Sequence, residues 1–99
     1  MTDELSLQRA VNRAQEARTL LESELLNGAF KSLEESYTSA WRATTIDDVS
    51  GREKLFLAIS VIGKVRDHLS SAVSNGSVAE AEIKSLRETA ERKKRFGIL

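Results

Sequence analysis

No cysteine and no proline occur in the 99 residues, and histidine, tryptophan and tyrosine appear once each. Without cysteine there are no disulfides, thiol nucleophiles or thiolate metal sites. A lone imidazole, His68, leaves zinc and most acid–base arrangements without a second member. No stretch approaches the roughly 18 consecutive apolar residues of a spanning helix, so no membrane partner is expected. The acidic start Met1-Thr2-Asp3-Glu4-Leu5 has no apolar core and is not expected to be a signal peptide. Neither sign of charge is in excess, with 15 basic and 15 acidic side chains.

What is present is 40% apolar and 30% charged, too apolar for a disordered chain and too charged for a membrane protein. Abundant Ala, Leu, Glu, Lys and Arg without proline point to helix. The expectation is all-α: one domain over residues 1–99, an antiparallel helical hairpin or small bundle of three to four helices with a long N-terminal helix. The charge is divided between halves. Residues 1–50 carry nine acids and five bases, and residues 51–99 carry ten bases and six acids. Opposite halves favour folding the chain back on itself and equally favour contact between copies.

Periodicity places the first helix from about Asp3 to Leu26, with Leu7, Ala10, Val11, Ala14, Ala17, Leu21 and Leu25 on one face. Its alanine-rich beginning buries little area, so residues 1–17 are expected to form an arm ordered only against something else. Asn27-Gly28 reads as a stop or a kink. A second helix, about Ala29 to Ala43, carries Phe30, Leu33, Tyr37, Ala40 and Trp41. Residues 44–51 read as the loop, with Ser50 and Glu53 as a capping box. A third helix, about Gly51 to Ser74, carries the widest apolar stripe, including Leu55, Ile59, Ile62, Leu69 and Val73. Gly63 within it suggests close backbone packing, against Trp41 or Tyr37. Asn75-Gly76 is expected to close that helix, and Ser77 with Glu80 to cap a fourth, about Val78 to Lys94. The second and third helices are expected to form an antiparallel core.

Chemical motifs fail on spacing. Asp67 and His68 are adjacent on a helix and diverge by about 100°, so they form no acid–base pair. Glu34-Glu35 reads as a solvated face, and Asp47-Asp48 as negative charge favouring the next helix start. Residues 44–55 lack the alternating ligands of a calcium loop, and Gly63-Lys64 lacks the glycines and hydroxyl of a phosphate loop. Asn75-Gly76-Ser77 fits a glycosylation sequon but reads as a turn. A helix-turn-helix over 58–88 would turn Glu80 and Glu82 toward the DNA groove, which disfavours it. The Phe30–Trp41 stripe reads as core rather than a ligand face. No catalytic residue, cofactor or metal is expected.

One set of residues resembles a known group. Ala29-Phe30, Tyr37, Ala40-Trp41-Arg42-Ala43-Thr44, Gly51-Arg52-Glu53-Lys54-Leu55-Phe56 and His68-Leu69 resemble small helical proteins of tailed phages and prophages of proteobacteria, over about residues 20–76. The resemblance implies a context of virion assembly or DNA packaging and brings no catalytic residues. Within that context the small terminase subunit is a helical, DNA-binding oligomer, but its N-terminal helix-turn-helix is not visible here.

The functional expectation is a non-enzymatic interaction module in the bacterial host cytoplasm or the virion. Its partners are further copies of itself, as a homo-oligomer, or another phage protein. Leu7, Val11, Ala14, Leu21, Phe96 and Leu99 are the expected contacts, the last two within a basic and apolar tail at 92–99. The alternative is a packaging or regulatory protein touching nucleic-acid phosphates through Arg92, Lys93, Lys94 and Arg95.

Overall fold

A computed structural model describes residues 3–95 as three helices: α1 (Glu4–Leu21), α2 (Glu24–Ala43) and α3 (Val49–Arg95). Among the described residues there is no strand, and no helix is long and apolar enough to cross a membrane. The all-α expectation is met. The helix boundaries differ, each for an identifiable reason, and the long helix is the last rather than the first.

The first break falls at Glu22-Ser23, not at Asn27-Gly28. Ser23 has extended backbone (φ −70°, ψ 117°), and its hydroxyl accepts from the Leu26 N–H at 3.2 Å. That satisfies one of the amides every helix start leaves open. Asn27 still helps to end α1, but from inside α2: its side-chain amide donates to the Leu21 carbonyl at 2.7 Å. At the other end of α1, the Asp3 carboxylate accepts from the Ser6 N–H at 2.6 Å.

The loop is shorter than expected, because α3 begins at Val49. Asp48 supplies the cap, its carboxylate accepting from the Gly51 N–H at 3.0 Å. The Ser50–Glu53 capping box therefore does not form, and Ser50 lies inside the first turn.

Asn75-Gly76 does not end a helix either. Residues 49–95 are one helix of 47 residues. The Ser77 hydroxyl turns back to the Val73 carbonyl at 3.4 Å instead of capping. The apolar pattern explains the continuity. Ala58, Ile62, Val65, Leu69, Ala72, Gly76, Ala79, Ile83 and Leu86 recur at alternating spacings of four and three, the heptad pattern of helix-on-helix packing. Gly76 occupies a core position in that series rather than interrupting it.

The chain divides into two compact units. One comprises α1 as far as Arg18 together with α3 from Ser70 onward. Here Leu7, Val11, Ala79 and Ile83 form the buried cluster, with Ala10 packed against it. Glu4 and Arg87 pair across the surface at 3.1 Å. Since Glu4 meets Arg87 and Ala14 meets Gly76, the helices run antiparallel. Their approach is close at Gly76. A Cβ there would collide with the Ala14 methyl and lie 3.3 Å from the Ala10 carbonyl oxygen. The expected N-terminal arm thus has its support within the chain, from α3.

The second unit is Thr19–Leu69. It contains the antiparallel pairing of α2 with the first part of α3, held by two arginines. Arg66 pairs with Glu34 at 2.8 Å and lies 5.1 Å over the Phe30 ring. Arg52 lies 4.8 Å over the Trp41 ring and donates to the Thr44 hydroxyl at 3.1 Å. The Thr44 hydroxyl itself donates to the Trp41 carbonyl at 2.6 Å, closing α2. Trp41, Thr44 and Arg52 thus meet at this corner. Close packing at Gly63 is not found: nothing lies within 4 Å of where its Cβ would be.

Candidate functional site

The second unit buries little. No residue of α2 is buried, and Ile62 is the one buried apolar side chain between Val49 and Leu69 on α3. Phe30, Tyr37 and Trp41 are only half-buried. Large apolar side chains remain at the surface instead: Leu33, Leu57, Val61 and Val65 are between 42% and 56% exposed.

Leu33 and Val65 lie to one side of the pair, with Val61 and Leu57 farther around α3. On α3 the row toward α2 is Arg52, Ile59 and Arg66, spaced by seven. Helical turning of about 100° per residue places Ile62, Ala58, Val65, Val61 and Leu57 successively farther around in one direction. On α2 the row toward α3 is Phe30, Tyr37 and Trp41. Turning in the same rotational sense passes Leu33, Ala40, Ala29, Ser36 and Ser32. For antiparallel helices side by side, equal rotational senses lead to the same side. The result is an apolar face that begins on α2 and continues around α3. The charges of α2, Glu24, Lys31, Glu34, Glu35 and Arg42, all fall on the opposite half of its circumference. On α3 between Lys54 and His68, Arg66 turns toward α2 and Lys64 flanks Leu57.

This breadth exceeds what one neighbour covers. A helix facing a single partner needs an apolar stripe of about 100°, and on α3 apolar side chains continue from Ile59 past the paired Arg66 to Val61, over about 160°. These apolar side chains stay exposed over several turns of the pair.

The residues expected as partner contacts lie elsewhere. Leu7, Val11 and Ala14 are buried inside the chain against α3, because α3 continues past Gly76 and covers them. Leu21 is half-buried at the end of α1. Phe96 and Leu99 lie outside the described residues. Arg92, Lys93, Lys94 and Arg95 form the exposed last turn of α3, where positive charge complements the helix C-terminus. Periodicity alone identified apolar positions but could not say which of them an intrachain partner covers. Leu57, Val61 and Val65 were absent from the expected contacts; a fourfold spacing beside an already complete stripe was the available signal.

His68 is exposed beside Asp67, and no group of three or more metal-ligating side chains occurs among the described residues. An open groove of about 350 Å³ lies between α1 and the end of α3, lined by Gln8, Val11, Glu80, Ile83, Lys84 and Arg87 among others. Its charged side chains are of both signs, Glu80, Glu88 and Glu91 against Lys84 and Arg87. The chain matches no protein-family model, and it has no significant similarity to a curated protein or a solved structure.

Proposed function

We propose that this chain is a non-enzymatic helical interaction module, acting through the apolar face of the α2–α3 pair. The observation that carries the reading is the contrast between an unburied α2 and the cluster of Leu33, Leu57, Val61 and Val65 left in water. Exposed apolar area of this continuity favours association, and two-helix units gain stability when a partner covers them. The resemblance over residues 20–76 supports a context of phage assembly in the bacterial host cytoplasm or the virion.

The rival is a DNA-binding packaging or regulatory protein. The four exposed bases Arg92 to Arg95 favour it. Sedimentation across dilution, with and without duplex DNA, separates the two. The module reading expects an assembly heavier than the 11.0 kDa chain that forms without DNA and survives replacement of Arg92, Lys93, Lys94 and Arg95 by glutamine. A monomer whose DNA binding falls steeply with salt and vanishes in that variant overturns it.

A further inference from the structure

Residues 70–77 are the part of α3 least suited to a helix. They read Ser70-Ser71-Ala72-Val73-Ser74-Asn75-Gly76-Ser77. Every residue here except Ala72 has middling or poor helix preference, and glycine is the worst present. No charged side chain lies between His68 and Glu80, so no ion pair one turn apart offsets that deficit. Two hydroxyls compete for the backbone. Ser74 donates to the Ser70 carbonyl at 3.3 Å and Ser77 to the Val73 carbonyl at 3.4 Å, a contact that weakens and bends helices. Only Gly76 is buried within the segment, and α1 buries it, through Ala14 and the Ala10 carbonyl. The segment also carries the parts of two helix ends. Asn75-Gly76 can form a C-terminal stop, and Ser77 with Glu80 a capping box for a new start. Neither is used while α3 is continuous.

We infer that residues 74–77 are a hinge in α3 which α1 holds straight. Docked, α1 sets Ala14 against Gly76. That contact needs helix at this point, because only helical spacing brings Gly76 onto the face of Ala79 and Ile83. Together with the cluster of Leu7, Val11, Ala79 and Ile83, it offsets the poor local preference. With α1 withdrawn nothing offsets it, and the amides freed by a break are partly satisfied by Ser77 and Glu80. α3 then divides into a helix ending near Ser74 and a helix starting at Val78. Linkage makes the device reciprocal: whatever favours the bent helix releases α1. Release uncovers Leu7 and Val11, whose spacing alone marks them for contact. The inference stands apart from the module reading, since it concerns only α1 and the stretch of α3 that packs with it.

The test uses the full-length chain with Leu7→Asp and Val11→Asp together. Both side chains are buried in the contact with α3, so two carboxylates there drive α1 off. Backbone chemical shifts of α3 should then show a local loss of helix at 74–77, with helical values on both sides and Ser77 in the extended backbone of a cap. Adding Gly76→Ala to this variant should raise the helix–coil ratio at 74–77 by about fivefold, although the same substitution disrupts the docked chain. A second reading needs no substitution. In native-state amide exchange of the wild-type chain under mild denaturant, protection at 74–77 should vanish in the same step as that of α1, while residues 52–66 keep theirs. Should the double variant unfold altogether, the exchange experiment decides alone. Unbroken helix at 74–77 after α1 is withdrawn overturns the inference. So does a smooth decline of helix from Ser70 to Arg95 with no minimum, or protection at 74–77 that is lost before that of α1.

Discussion

At the scale of single residues, two glycines inside the same helix have opposite roles. Each costs about 1 kcal/mol relative to alanine in a helix interior. At Gly63 a methyl would meet open space, so Gly63→Ala should raise stability by about 1 kcal/mol in urea denaturation. At Gly76 the methyl would strike Ala14 on another helix, with the Ala10 carbonyl close behind. Neither neighbour can rotate away, so α1 and α3 must separate. Overpacking of this kind costs about 1–3 kcal/mol, and Gly76→Ala should lower stability despite its better helix propensity. Equal effects at the two positions would contradict the close crossing at Gly76. Ser23 is a third decisive residue. Ser23→Ala removes the cap of α2 and should cost about 1 kcal/mol, with the loss visible as fraying of residues 24–27 in amide exchange.

At the scale of elements, α2 is held to α3 by guanidinium planes stacked on rings rather than by a deep apolar seam. Arg52 combines a cation–π contact with a hydrogen bond to Thr44, which also closes α2. Arg52→Lys keeps the charge but loses the planar stack and the directed N–H, and should cost about 1 kcal/mol. The Arg66–Glu34 pair is about one-third exposed on both sides. Glu34→Gln should therefore change stability by less than about 1 kcal/mol, because water screens such pairs. A chemical-denaturation series on these two variants checks the order; a larger loss at Glu34 would show that the ion pair, not the stack, holds the element. α3 itself makes a separate prediction. Amides of Asn75, Gly76 and Ser77 should exchange as slowly as those of neighbouring helix, whereas a break there would leave them fast.

At the scale of the whole molecule, each unit is a pair of helices with few buried side chains. Folding of about a hundred residues without further burial leaves little net stability, so stability should be linked to association. The thermal midpoint is expected to rise with protein concentration, as mass action requires when only the folded form associates. It should change little when Arg92 to Arg95 are neutralised, since these side chains are exposed on the last turn of α3. A midpoint independent of concentration would mean that the exposed apolar face is tolerated in water without a partner.

Much of the fold was legible in the chain alone. The absence of proline and cysteine, the helix-forming composition and the three-and-four spacing of apolar residues determine an all-helical protein, because these act through local backbone preference and one-helix geometry. The loop near Asp47-Asp48 was legible for the same reason, since negative charge beside the unpaired amides of a helix start is a local interaction; the start of α1 near Asp3 was legible from periodicity. Three matters were decided only by tertiary structure. Gly76 reads locally as a helix stop, but in the folded chain it is the place where α1 needs room. Leu7, Val11 and Ala14 have the spacing of a contact stripe, and only the path of α3 shows that the contact is internal. The apolar face of α2 and α3 exists only once the two helices lie antiparallel. Periodicity tells which side of a helix avoids water; which neighbour arrives to cover that side depends on residues distant in the chain, and no local pattern encodes that choice.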